Sequence, residues 1–107
     1  MAKIDVPPEE LSAVLRILQG HVPGYEVRAF GSRVTRTAKK YSDLDLVLMT
    51  PPPLTPMQLL ELKDSFSESD LPFRVDVVDW ASASEDFRKI IQREYVVVQK
   101  TATGPRN

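Results

Sequence analysis

AFGSRVTRTAKKYSDLDLVL, residues 29–48, is the stretch on which the rest of the chain is read. An apolar run stops at Gly31-Ser32. The basic residues Arg33, Arg36, Lys39 and Lys40 follow, and Asp43 and Asp45 then interrupt a second apolar run. In an extended strand successive side chains alternate between faces, at about 3.3 Å per residue. Asp43 and Asp45 therefore share one face of a predicted strand, DLDLVLM, while Leu44 and Leu46 share the other, which reads as core. Two like charges on one face repel unless something positive lies between them. Magnesium suits that role, because it takes oxygen ligands and is usually held by one or two carboxylates plus substrate phosphates.

A later apolar segment, LPFRVDVVDW (residues 71–80), supplies a further acid. Val75 and Val77 fall on one face of this predicted third strand, and Arg74, Asp76 and Val78 on the other. Asp76 sits among apolar neighbours, a costly place for a charge without a partner. It is preferred as the third metal ligand over Asp79, which falls on the opposite face beside Trp80. A single Asp at a strand end is ordinarily a turn former or a solvated edge residue. The metal reading rests on the conjunction of all three acids with Gly31-Ser32.

Gly31 lets the backbone approach a ligand closely. If residues 33–38 form a short helix, Ser32 opens it, and its amide, hydroxyl and helix dipole face an anion. Neither a P-loop nor a G-x-G-x-x-G spacing is present. A charge run such as Arg33 to Lys40 is normally a solvated face. Only the nearby aspartates make it a candidate for triphosphate contacts.

Working outward, VPPEELSAVLRILQG reads as an amphipathic helix stopped by Gly20, with Leu11, Val14, Leu15 and Leu18 on one stripe. YEVRAF is a first strand. Pro51, Pro52 and Pro53 forbid regular pairing. Thr55-Pro56-Met57-Gln58 has the form of a capping box, opening a helix that runs to about Phe66. Ser82-Ala83-Ser84-Glu85 resembles another, before a helix with Phe87, Ile90 and Ile91 buried. YVVVQK fits either the end of that helix or a short strand. The order α-β-(α)-β-α-β-α gives an α/β (α+β) fold, a mixed β-sheet with helices packed against it. The link between the first two strands is too short for a parallel crossover. His21 is expected to cap or face solvent, Tyr41 and Tyr95 to pack, and Trp80 to anchor a core or an interface.

Composition limits the function. The chain has 107 residues, 42% of them apolar and 27% charged, with a formal net charge of −1. One domain, residues 1–107 with a frayed tail from about 101, is the expectation. No global basic field exists to hold nucleic acid, so direct nucleic-acid binding is not expected. Absence of cysteine excludes disulfides and thiolate metal sites and favours a reducing compartment. MAKIDVPPEEL is too polar for a signal peptide, and no apolar run approaches the roughly 18–20 residues of a membrane span. A cytoplasmic location is the expectation.

GSRVTRTAKKYSDLDLVL followed by VDVVDW resembles the minimal nucleotidyltransferases of the DNA-polymerase-β-like superfamily, whose signature is Gly-Ser, a spacer, Asp-x-Asp and a third Asp on a later strand. Many such proteins are antitoxins paired with an all-helical HEPN-type toxin. Some members transfer AMP from ATP onto a tyrosine of that partner and silence its RNase activity. The resemblance implies that Gly31 and Ser32 hold the β- and γ-phosphates with help from Arg33. It implies that Asp43 and Asp45 hold Mg²⁺ bridged to the triphosphate, and that Asp76 completes a second metal site and helps deprotonate the attacking hydroxyl. The expected partner is a HEPN-type protein, and the alternative function is a non-catalytic module that neutralises its partner by contact. One departure is visible: the family often has glycine where this chain has Arg36.

Overall fold

The alternation around Asp45 resolves into a strand in the computed structural model, which describes residues 4–39, 41–50 and 54–100. That strand, β2 (Leu44–Leu48), pairs antiparallel with β1 (Val27–Phe30) and parallel with β3 (Val75–Asp79). A fourth strand, β4 (Val96–Gln99), pairs antiparallel with β1, so the sheet order is β3-β2-β1-β4. The mixed sheet expected from the short β1–β2 link is therefore present. YVVVQK is a strand rather than a helix end. Its Gln99 side chain is buried and donates to the carbonyls of Val22 and Tyr25, both at 2.9 Å, which ties β4 to the turn before β1.

Among the described residues four helices accompany the sheet: α1 (Pro8–His21), α2 (Ser32–Thr35), α3 (Pro56–Ser67) and α4 (Glu85–Arg93). In α1, Val14 and Leu18 are fully buried, and Leu11 and Leu15 pack at the edge of the same stripe. Gly20 does not stop α1. The helix continues to His21 and closes with the Val22 N–H donating to the Leu18 carbonyl, 2.7 Å. His21 itself hydrogen-bonds Ser65 at 2.6 Å and so links α1 to α3. The α3 capping box is complete: the Gln58 N–H donates to Thr55 Oγ1 (3.1 Å) and the Thr55 N–H to Gln58 Oε1 (2.9 Å). As the crossover between parallel β2 and β3, α3 buries Leu62 and Phe66 with α1 against Leu44, Leu46 and Val77.

The opposite face of the sheet is divided lengthwise. Period-2 alternation carries Asp45 and Val47 onto it from β2, with Met49 just beyond the strand, and Asp76 and Val78 from β3. α4 covers its apolar end, where Phe30, Val47 and Ile91 form a second small core with Phe87 and Trp80 packed around it. The acidic end stays open. Two expectations for α4 need correction. Its cap is Ser84, which accepts from the Phe87 N–H at 3.1 Å, rather than Ser82. Ser82 instead ends a 3-10 turn, Trp80–Ser82, and donates to Asp79. Ile90 is exposed, so α4 buries Ile91 and part of Phe87 only.

Among the described residues no helix is long and apolar enough to cross a membrane. The Pro51–Pro53 run, Lys40 and the tail from Thr101 lie outside the described residues.

The Arg36 departure now has a physical meaning. Arg36 closes α2 in the left-handed conformation, φ 67° and ψ 33°. Glycine takes this geometry at no steric cost, whereas an L side chain does not. Its exposed side chain does nothing to relieve that strain. Arg36→Gly is expected to raise stability by about 0.5–1 kcal/mol, read as a higher urea midpoint with an unchanged slope.

Candidate active site

The predicted residues meet at the open, acidic end of the sheet. Parallel pairing puts Asp45 of β2 directly beside Asp76 of β3 in register, about 4.8 Å apart between strands. Antiparallel pairing puts Phe30 of β1 opposite Asp45 on the other side. The residue after Phe30 is Gly31, so the Gly-Ser turn lands against the same carboxylate. Asp43 lies one residue before β2 rather than inside it, is exposed, and shares the face of Asp45 by its i, i+2 spacing. The structure thus brings Asp43, Asp45, Asp76, Gly31 and Ser32 to one place.

Gly31 is the tightest point. Its φ is +84°, closed to most side chains, and a Cβ placed there would stand 2.3 Å from Asp45 Oδ2. Glycine is required on both counts. Its carbonyl starts α2 by accepting from the Val34 and Thr35 N–H groups, 2.9 and 3.0 Å. Ser32 opens that helix half-exposed, as expected, although α2 is a single turn and ends at Thr35 rather than 38.

Arg33 does not face the carboxylates. It is buried, with Nε donating to the Ser42 carbonyl (3.0 Å), a terminal guanidinium nitrogen to the Asp5 carbonyl (2.8 Å), and its plane 4.3 Å above the Phe73 ring. A run of four basic residues does not reveal from sequence which one turns inward. Here α2 points Arg33 into the protein, where it fastens the segment between the Gly-Ser turn and β2. Asp79 is likewise structural: it accepts from the Thr50 hydroxyl, the Ala81 N–H and the Ser82 hydroxyl. Tyr41 departs from its expected packing role and is 67% exposed. Tyr95 is partly exposed under the Arg28 guanidinium, 4.3 Å from the ring centre.

The electrostatics follow from the packing. The Asp45 carboxyl is pushed up from 3.8 to about 6 by burial, and then by the charges of Asp76 and Asp43. An oxygen-rich, anionic cluster of this kind fits a hard divalent cation. Among the described residues, no group of three or more His, Cys, Asp or Glu side chains converges tightly enough to hold an ion unaided. A cleft of about 630 Å³ opens beside Asp43 and Asp76, with Tyr41, Lys63 and Arg74 also on its walls. Lys63 was not singled out by the sequence, because one Lys on an exposed helix face carries no local signal.

Comparison with known proteins shows the family. Residues 16–103 match the family described as Polymerase beta, Nucleotidyltransferase. The chain is 57% identical over 99 residues to a Haemophilus influenzae protein named as probable protein adenylyltransferase MntA, covering 92% of this chain and 87% of that one. It resembles in fold a toxin-antitoxin crystal structure with AMP-PNP, at a TM-score of 0.71 and 23% identity over 87% of this chain and 75% of that one. Similar again is a chain from the complex of a tri-AMPylated Shewanella oneidensis HEPN toxin with an MNT antitoxin. There the TM-score is 0.65 and the identity 22%, over 89% and 73% of the two chains.

Two outcomes follow from the site. Gly31→Ala should lower stability by about 1–3 kcal/mol, since its methyl group displaces the Asp45 carboxylate and its φ is strained. For Asp45, the folded-state value lies above the unfolded one. The ionised form is therefore disfavoured by folding. Its penalty is absent below about pH 4 and complete above about pH 6, so metal-free stability falls as pH rises through that window. Asp45→Asn escapes the penalty. In chelator-treated protein its urea midpoint should exceed the wild-type value at pH 7.5, and the two should converge toward pH 4.

Proposed function

The chain belongs to the polymerase β nucleotidyltransferase family, and on that premise we propose that it transfers AMP from ATP to a tyrosine hydroxyl of a HEPN-type partner toxin, silencing it. The observation that carries the reading is the three-strand junction. Gly31 presses on Asp45, Asp45 neighbours Asp76, and Asp43 flanks both. The name of the Haemophilus influenzae relative, a probable protein adenylyltransferase, supports the reaction class. The toxin-antitoxin complexes among the structural relatives support the kind of partner.

In this reading Asp43 and Asp45 hold Mg²⁺ together with the triphosphate, and Asp76 completes a second metal site. When bound, the cations neutralise the triphosphate and stabilise the entering and leaving oxygens. Gly31 brings its backbone against the phosphates with no side chain in the way. Ser32 offers an amide and a hydroxyl to the β- and γ-phosphate oxygens. The tyrosine oxygen attacks the α-phosphorus, forming a P–O bond as the bond to the β-phosphate's bridging oxygen breaks. The hydroxyl proton passes to Asp76, and pyrophosphate leaves on the Gly31-Ser32 side. Arg33 contributes by holding the turn in place. Positioning and charge account for the catalysis, as in phosphoryl transfer generally. ATP as substrate and a cysteine-free chain suit a cytoplasmic setting.

Purified partner, Mg²⁺ and α-labelled ATP test the proposal. Label should appear on the partner, disappear with chelator or Asp43→Ala, and appear about 10²–10⁴-fold more slowly with Asp76→Asn. Silencing of the toxin that persists in Asp43→Ala without label would establish the contact-only module instead.

A further inference from the structure

In-line transfer fixes where an acceptor hydroxyl must stand. With pyrophosphate leaving over Gly31 and Ser32, attack comes from the opposite side, past Asp76. Neither Gly31 nor Ser32 lines the 630 Å³ cleft, whereas Asp43 and Asp76 do. The chain carries a hydroxyl of its own on that wall. Tyr41 is 67% exposed, lines the same cleft and precedes Asp43 by two residues. Two residues of chain span at most about 7 Å, a distance that a phenol side chain also covers.

The backbone that presents Tyr41 is tied on both sides. Lys39 and Ser42 close a turn around it: the Ser42 N–H donates to the Lys39 carbonyl (3.0 Å) and the Lys39 N–H to Ser42 Oγ (2.8 Å). Ser42 is held in turn by the buried Arg33, whose Nε donates to its carbonyl at 3.0 Å. The chain's other two tyrosines lie elsewhere. Tyr25 belongs to the core, and Tyr95 precedes β4, which β1 separates from β2 and β3. Ser67 and Ser69 also line the cleft. Ser69, however, donates its proton to the Phe66 carbonyl at 2.6 Å, and a phenol is a far stronger acid than an alkyl alcohol. A neutral phenol also meets no charge repulsion from the carboxylates around it.

We infer that Tyr41 is itself an acceptor: when ATP is bound and no partner tyrosine occupies the cleft, the chain transfers AMP to its own Tyr41 hydroxyl. The inference rests on the transfer activity proposed above. Tyr41 Oη attacks the α-phosphorus and forms a P–O bond. The bond from that phosphorus to the bridging oxygen of pyrophosphate breaks, and the phenolic proton passes to Asp76, which shares the cleft. The acceptor is tethered two residues from Asp43. Such a tether makes the step unimolecular and favours it over encounter between two chains.

The test uses the full chain with Mg²⁺ and α-labelled ATP, first without partner. Label should appear on the chain, map to Tyr41 by peptide mass spectrometry, and accumulate at a fractional rate independent of protein concentration. Tyr41→Phe should abolish it while calorimetric Mg-ATP affinity stays unchanged, and Tyr95→Phe should retain it. Label on Ser67, Ser69 or Tyr95 overturns the inference, as does a fractional rate that rises with protein concentration. So does a fall in Mg-ATP affinity in Tyr41→Phe, which would make the hydroxyl part of a nucleotide seat. Partner is then added to the same reaction. A chain that labels its partner and never itself overturns self-transfer and leaves the proposed activity standing, whereas label on neither overturns both.

Discussion

The structure is organised around a repulsion. Register places the carboxylates of Asp45 and Asp76 side by side on adjacent strands, with Asp43 close by, and burial first, then the charges of these two neighbours, push the Asp45 carboxyl up to about 6. A sheet would ordinarily avoid like charges in direct opposition. This one tolerates them because the same strands bury Leu44, Leu46, Leu48 and Val77 on the other face. The apolar layer fixes the register, since a slip of one residue would turn every one of those side chains to solvent. The acids are thus held together by hydrophobic burial behind them.

The Gly-Ser turn is positioned by equally ordinary forces. Phe30 meets Phe87 of α4 edge-on, ring centres 5.7 Å apart, which fixes the end of β1. On the far side of the turn Arg33 satisfies two backbone carbonyls and stacks on Phe73. A buried guanidinium is costly unless its donors are used. Here they span from the segment before α1 to the residue preceding Asp43. Arg33 therefore ties the segment that follows the Gly-Ser turn to the approach to Asp43.

Much of this was legible in the sequence because the relevant signals are local and chemically unambiguous. Period-2 alternation identified β2 and β3 and put Asp45 and Asp76 on the sheet face away from the core leucines. Thr55-Pro56 announced α3. The losses came where two signals of equal strength competed. Ser82 and Ser84 both sit ahead of a helical pattern, and the choice was made by Asp79, which captures the Ala81 N–H and the Ser82 hydroxyl and draws that segment into a 3-10 turn. Ile90 and Ile91 offered adjacent faces of α4, and only the tilt against Phe30 and Val47 selects Ile91. Arg33 was indistinguishable from Arg36 and the lysines beside it, since a residue's direction on a one-turn helix depends on packing outside the motif.

The two edges of the sheet divide the labour. On the β4 edge Gln99 is tied down by side-chain bonds to the turn before β1, and Tyr95, just before the strand, lies beneath the Arg28 guanidinium. On the β3 edge a cleft walled by α3 residues opens beside Asp76. An exposed edge is a hazard that proteins usually blunt. β3 keeps its edge short, at five residues, and carries Asp76 and Asp79 along it, which discourages indiscriminate pairing through charge.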